Sequence, residues 1–417
     1  MKTYFNLLGL VVIVLTTLFS MSSCDKNNDD PINENELSAG DKLLQQVLVQ
    51  NVDGTINPIY QALAADCSNL YDEMKVIRSA AATKSVTQDM VNSACTSWKK
   101  ARANYELSEA FLMGAAADFS IDPHIDSWPL DLDQLWTLLS STNMVNKLDG
   151  DDGPEYANTN LGQNLLGFHG VEFILFRDGS PRPASEFNGY DSYNKDGLDF
   201  TSFSGEYEMV YALAVCGDLR NSCYRLETSW NEKAPAAHFS VMSDLEWSTT
   251  LTSGNSYGKN MKISGEAGST YSSVRNAASA VLVGDGGAAG IADEVGNVKI
   301  GNPYTGKDIN YIESPYSYNS LTDFYDNIES IRNIWMGGSL GNRVSGISFS
   351  VYFAKYNTAI GQRVEKAMDN AQSAINAIPK PFVKNYTSSQ CATAMSACTE
   401  LVNALNAAND YIQSSKD

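Results

Sequence analysis

Residues 42–80, KLLQQVLVQNVDGTINPIYQALAADCSNLYDEMKVIRSA, decide the fold class. Leu44, Val47, Leu48, Ile56, Ile59, Leu63, Leu70, Met74 and Ile77 recur at three- and four-residue spacings, the period of one helix face and not the two-residue period of a strand. Pro58 interrupts the run. It has no N–H to donate and its ring crowds the carbonyl four residues back, so it starts a new helix or kinks this one. The helical period then returns along the chain. Thr87 caps a second predicted helix that passes Met90, Ala94, Trp98, Arg102, Tyr105 and Glu109 and ends near Ala117. Residues 118–135, DFSIDPHIDSWPLDLDQL, are turn-rich and carry two prolines. Further helices are predicted over 160–176, 205–230, 239–252, 270–296, 320–337, 346–376 and 389–414, with loops over 177–203 and 298–319. Asn319 or Ser320 caps the helix that carries Phe324, Ile328 and Ile331. Period-two runs are few. The expected class is all-α, as two packed helical bundles over 41–233 and 234–417, with a boundary near Pro235.

Composition fits such a fold. The chain has 417 residues, 43% hydrophobic and 19% charged, which is globular composition. Its 49 acidic residues against 29 basic ones give a formal net charge of −20. That surface repels nucleic acid, so no nucleic-acid partner is expected. The N-terminus reads as an address. A basic start is followed by the apolar run Phe5–Phe19 and then by Ser20-Met21-Ser22-Ser23-Cys24. The run is shorter than the ~20 residues a membrane span needs, and the arrangement has the parts of a secretory signal. Ending on a cysteine, it resembles a bacterial lipoprotein signal over 1–23, with Cys24 the lipidated residue. Residues 24–40, which include DKNNDDPINENELSAG, hold too little apolar surface to fold and are expected to form a flexible acidic tether. An acidic stretch behind a lipidated cysteine resembles the surface-export signals of some Bacteroidota lipoproteins. The expected location is the outer membrane, on its periplasmic or cell-surface face.

Six cysteines follow Cys24, an even number that permits disulfides in an exported chain. Cys216/Cys223 and Cys391/Cys398 are each seven apart. Seven residues of unbroken helix rise ~10.5 Å, and Cα atoms beyond ~7 Å cannot be bridged. Either the helix starts between each pair or each cysteine pairs elsewhere. Gly217 and Asn221 make a break plausible in the first pair; CATAMSAC reads as helical, with Cys391 at its N-terminal edge. None of the spacings suits a zinc site.

The chemistry-bearing stretch is GFHGVEFILF, residues 167–176, where His169 and Glu172 are the only ionisable groups. Three apart on a helix, they share a face, and the helix is apolar nearly all round, so it is expected at the centre of a bundle. A buried carboxylate without a partner costs several kcal/mol, so Glu172 must find a cation, a proton or donors. Three readings stay open. The pair holds the bundle in register; or it supplies two ligands to a metal completed by carboxylates from other helices; or His169 binds zinc and Glu172 is a catalytic base. A zincin helix needs two histidines four apart, and the chain has only His124, His169 and His238. Gly167 and Gly170 provide either close helix packing or room for a ligand.

Gly167-x-His169-x-x-Glu172 resembles the GxHxxE signature of imelysin-like proteins. WKKARANYELSEAFLMG, through Trp98, Arg102, Tyr105, Glu106, Glu109 and Phe111, and DPHIDSWPLD, through Trp128, Pro129, Leu130 and Asp131, resemble further segments of that family. So do IADEVGNVKIGNPY, ESPYSYNSLTDFYDNIESIRNIWMGG and the pair Ile378-Pro379 with Pro381-Phe382, and together these cover nearly the whole mature chain. The resemblance implies exported, helical, two-bundle proteins, often lipoproteins, classed with a peptidase family and linked to iron uptake. It implies a site near the seam between bundles lined by His169 and Glu172, with Glu109 and Asp131 as further metal-ligand candidates. Arg102, Glu106, Trp128, Gly167, Glu313, Ser314, Tyr316 and Ser317 are the implied seam residues. It transfers no role to His124.

Oxygen-rich ligation with one imidazole suits iron or another divalent metal. A catalytic zinc keeps three protein ligands, and the motif supplies at most two, so the reading leans away from an enzyme. The first expectation is an outer-membrane lipoprotein that binds a metal or iron-bearing ligand and works with iron- or haem-uptake proteins. The alternatives are a metallopeptidase using GxHxxE, and a protein-interaction module in which His169 and Glu172 are a structural pair.

Overall fold

Pro58 is absorbed without a break. The computed structural model, which describes residues 37–195 and 197–417, has helix α1 (Ala39–Asn51) passing through a π segment, Val52–Ile56, into α2 (Asn57–Ala82). The carbonyl four residues before Pro58 belongs to Gly54, inside that wider turn, where the missing N–H and the ring are accommodated. The same device recurs at Glu294–Ile300, whose Lys299 is four residues before Pro303. The signal 1–23, Cys24 and the tether as far as residue 36 lie outside the described residues. The end of the expected tether is already folded: Ser38 caps α1 by accepting from the Asp41 N–H at 3.0 Å.

The remaining long helices are α3 (Gln88–Glu106), α4 (Gly167–Leu175), α5 (Gly205–Trp230), α6 (Ser320–Met336), α7 (Thr358–Asn376) and α8 (Ser389–Ser414). Among the described residues the only sheets are two antiparallel pairs of two-residue strands, Phe176–Arg177 with Ser180–Pro181 and Asn194–Lys195 with Leu198–Asp199. The all-α class is therefore correct. One bundle packs α2, α3, α4 and α5; the other packs α6, α7 and α8 with the segment 288–305. They meet where α3 lies on α6. The first helix departs from sequence order, because α1 packs on Val274–Val283 and Phe349–Tyr356 of the second half. One apolar core runs from Leu44 to Ile412 through both halves, and Ser38–Asp417 form a single unit. No helix of the described residues is long and apolar enough to cross a membrane.

Several predicted helices end early, each for a tertiary reason. The second stops at Glu106 and not near Ala117; its chain turns so that the Leu112 N–H can donate to the Gly286 carbonyl at 2.9 Å. The third starts at Gly167 and not at 160. Gly167 has φ +69°, and a Cβ there would run into the Ile125 carbonyl oxygen. Glycine is the residue that both the left-handed conformation and this approach allow. The span 270–296 breaks at Gly284–Gly287, and 346–376 breaks at Asn357, whose side chain caps α7. Asn319 is the residue before α6, but its amide donates to Asp323 and does not cap the backbone.

The six cysteines of the described residues are buried free thiols. The break expected between Cys216 and Cys223 does not occur, since α5 runs through both. Gly217 serves packing, for a Cβ there would clash with Pro154. Cys67 and Cys223 face each other across α2 and α5, Sγ to Sγ 3.5 Å.

The loop 177–203 is tied down by Arg182, which is fully buried. Its guanidinium meets Glu186 at 2.8 Å, Glu208 at 3.0 Å and Asp191 at 3.2 Å, and donates to the Ile174 carbonyl at 3.1 Å. Two stability predictions follow from these placements, both read by urea unfolding. Arg182→Ala leaves Glu208 buried without its guanidinium, while Asp191 keeps Arg177 at 2.6 Å, and should cost about 3–5 kcal/mol. Gly167→Ala should cost about 3 kcal/mol or more, through the forced φ and the clash with Ile125. A loss below about 1 kcal/mol in either variant would show that the site relaxes and that the constraint is not real.

Candidate metal centre

Separate segments of both bundles deliver charged and polar side chains to one buried place on the seam. The last turn of α3 gives Arg102 and Glu106, and the turn after it gives Glu109. The short helix Asp122–Ile125 and the residue that follows it give Asp122 and Asp126. α4 gives His169 and Glu172. The π segment Glu294–Ile300 gives Glu294 and Lys299. The turn 311–318 and α6 give Glu313, Asp323 and Asn327.

Arg102 is the hub. Its guanidinium touches Glu106 and Asp126, lies 2.7 Å from Glu313 Oε1, and its Nε is 3.6 Å from Asp323 Oδ2. Lys299 donates to Glu313 Oε1 and Asn327 Oδ1, each at 3.1 Å, and stands 3.9 Å from Glu106 Oε2. Burial alone would lower the pKa of both cations; the surrounding carboxylates reverse that and hold both well above their ordinary values.

His169 and Glu172 are 3.0 Å apart, Nδ1 to Oε2, as their shared helix face requires. Glu172 has no capacity left. Its Oε1 accepts from the Tyr316 N–H at 3.0 Å, the Ser317 N–H at 2.8 Å and the Ser317 hydroxyl at 2.7 Å. Glu172 therefore bolts α4 to the turn of the other bundle and points His169. The outer nitrogen, Nε2, is buried and 3.3 Å from Asp126 Oδ1, but without the alignment of a hydrogen bond. Burial would lower the His169 pKa, yet the carboxylates of Asp126 and Glu172 outweigh it and raise it to about 9. Asp126, which burial would raise, is held at about 2 by Arg102 and His169.

His169, Glu313 and Asp126 each offer one ligand atom, and these atoms all lie within 4.8 Å of one another. The donor set fits a cation. His169 Nε2 and Glu313 Oε2 are buried polar atoms without a hydrogen-bond partner among the described residues. Eight carboxyls, of Glu106, Glu109, Asp122, Asp126, Glu172, Glu294, Glu313 and Asp323, gather at this place, and among the described residues Arg102 and Lys299 are the permanent cations set within the cluster. Burial pushes Glu106 and Glu109 well above the usual carboxylate range, raises Asp122 and Glu294, and lifts Asp323 to about 6.

The other anticipated residues fall in distinct places. Asp131 is not at the centre: it caps the helix Leu132–Leu139, accepting from the Gln134 N–H at 2.9 Å and the Gln134 amide at 2.6 Å. Asp126, five residues earlier, occupies the position expected of it. Trp128 roofs the centre, its ring 6.3 Å from His169 and 5.1 Å from Tyr311, with Lys299 Nζ 5.1 Å from its centroid. Ser314 donates to Asp323 at 2.5 Å and so stays away from His169. Tyr316 packs edge-on against Phe173, ring centroids 5.0 Å apart. Gly167 and Gly170 give close packing, since a Cβ on Gly170 would be 2.6 Å from the Tyr211 hydroxyl. The other histidines are elsewhere, His124 with Asp218 at 2.7 Å and His238 with Glu227 at 2.6 Å. Sequence reasoning missed Asp126, Lys299, Asp323 and Asn327. A signal for the last two existed: Ser320, Asp323, Asn327 and Ser330 form a polar stripe at helical spacing, and all four are buried.

Comparison with known proteins places the chain at the level of family. The imelysin model, which carries a peptidase label, matches residues 56–411. Iron-regulated protein A of Synechococcus elongatus is 23% identical over 351 residues, covering 83% of this chain and 79% of the relative. The crystal structure of a candidate iron-regulated protein A precursor from Parabacteroides distasonis is 26% identical, with a TM-score of 0.70 over 91% of this chain and 96% of that one. An imelysin-like protein from Psychrobacter arcticum is 12% identical and shares the fold, with a TM-score of 0.53 over 91% and 95% of the two chains. A match of that extent shows the relationship: the chain belongs to the imelysin family.

Proposed function

We propose that this chain is an exported lipoprotein, anchored through lipid on Cys24, that holds iron or another divalent cation at His169, Asp126 and Glu313. In this reading it serves iron or haem uptake at the outer membrane, alongside the uptake proteins found there. The observation that carries the cation site is the buried His169 Nε2, oriented by Glu172 and facing two carboxylates within ligand reach. An imidazole whose other nitrogen is fixed by a carboxylate is the usual outer-shell arrangement of a metal-binding histidine. That the Synechococcus relative is named as iron-regulated supports iron as the first cation to test.

The peptidase label of the family invites a hydrolytic reading, and the geometry disfavours it. A general base must be free to take a proton from water. Glu172 would first have to give up three donors from Tyr316 and Ser317. Neither Ser314 nor Ser317 is placed as a nucleophile for His169, because Ser314 donates to Asp323 and Ser317 to Glu172. The arrangement is built to orient and retain.

Calorimetric titration of the metal-stripped full chain with anaerobic Fe(II) and with Zn(II) tests the proposal. Binding is expected to be micromolar or tighter and lost in His169→Ala. Glu172→Gln should weaken it by about 10–100-fold, the scale on which outer-shell partners act. Asp131→Ala should leave the affinity unchanged and lower stability by about 1 kcal/mol, as the loss of an N-cap does. Absence of binding, or binding indifferent to His169→Ala, would overturn the site. Chelator-sensitive peptide cleavage that disappears in Glu172→Gln would reinstate the peptidase.

A further inference from the structure

Asp126 belongs to two buried triads. One is the set with His169 and Glu313 described above. In the other, Glu106, Glu109 and Asp126 each place a carboxylate oxygen within 4.8 Å of the others. We propose that the centre takes two cations, the second held by Glu106, Glu109 and Asp126, with Asp126 shared between the positions. This rests on the reading of His169, Asp126 and Glu313 as a cation site.

The second position does not rest on acidity alone. Glu109 is only 3% exposed, and its carboxylate has no hydrogen-bond or ion-pair partner among the described residues. A buried carboxylate in that condition is costly unless a proton or a cation neutralises it, and a bound cation would displace the proton. The nearest ammonium, Lys299, is already taken by Glu313 and Asn327 at 3.1 Å each. Nor is Glu109 there by helical drift. The helix stops at Glu106, and the Ala110 N–H donates to Ser330 Oγ at 3.0 Å, which fixes the turn that carries Glu109 against the other bundle. The fold thus places an unpaired carboxylate beside two others by a specific contact across the seam.

The two positions differ in chemistry. The first offers one imidazole and two carboxylates, a set that suits iron, manganese or zinc. The second offers oxygen alone, which suits a hard divalent cation. Two-cation sites in proteins are commonly built on carboxylates of this kind. Asp126 has two oxygens, so one can serve each position. Asp122 and Glu294, both half-buried, carry further negative charge to the edge of the second triad and favour a cation there.

Mn(II), which accepts both donor sets, is the probe. The full chain is dialysed against a saturating concentration of Mn(II), bound metal per chain is counted by elemental mass spectrometry, and folding is monitored by circular dichroism. The native chain should bind two ions. Glu109→Gln, a neutral replacement of the same shape, should bind one, and His169→Ala should also bind one. One ion in the native chain that is retained in Glu109→Gln would overturn the second position and leave the His169 site standing. One ion lost in both variants would put all the ligands on a single cation and equally overturn it. No ion in the native chain would overturn both readings.

Discussion

A guanidinium with no solvent exposure governs the seam. Arg102 cannot shed its proton inside a protein, so burying it obliges the chain to bring anions to it. Those anions come from separate stretches: Glu106 from the same helix, Asp126 from the turn-rich region, Glu313 and Asp323 from the second half of the chain. Any packing of α3 against α6 that left one of them out would strand a buried charge. A buried ion cluster adds little net stability, because desolvation offsets most of the attraction. It does penalise wrong arrangements, and here it fixes how the two bundles meet.

Glu172 adds a second constraint of another kind. Its partners in the second bundle are the backbone N–H groups of Tyr316 and Ser317. They point at it because the turn is wound through Ser314 and Tyr318, which have φ of 46° and 59°. Non-glycine residues adopt that left-handed region at a cost, and such conformations persist where the surroundings over-determine them. Here Ser314 is held by Asp323, and Ser320 donates to the Glu313 carbonyl at 2.6 Å. The strained turn, the anchored carboxylate and the oriented imidazole form one chain of dependence that ends at His169 Nε2.

Much of this was legible from residue order. The 3.6-residue period marks α5 and α8 at their observed ends, because both are long, bear their own end signals and are decided by burial of a periodic face. His169 and Glu172 stand out because they are the only charges in an apolar run. The rest was hidden where tertiary contacts override local pattern. Nothing local tells that the chain after Glu106 must turn toward Gly286 and Ser330. Asp126 was masked by its neighbours, since DPHIDSWPLD offers three aspartates of similar appearance. The cap pattern of Asp131 with Gln134 three residues later could have removed one of them. Lys299 reads as a surface lysine until the π segment ahead of Pro303 turns it inward.

The family's peptidase label and the geometry of this chain can be weighed on one physical criterion. A hydrolytic site keeps one position open and one base free, because both must change partners during turnover. In this seam the free energy of folding is spent on fixing groups. Glu172 accepts four hydrogen bonds, Arg102 gathers four carboxylates, and Trp128, backed by Tyr311, stands over the imidazole. Among the described residues, His169 Nε2 and Glu313 Oε2 lack a hydrogen bond beside Asp126, and Glu109 offers a carboxylate oxygen within 4.8 Å of Asp126 and Glu106. Donors that are pre-oriented, dry and under-neutralised favour a cation strongly and release it slowly. Under the proposed reading, that combination favours retention of a cation over turnover at Glu172.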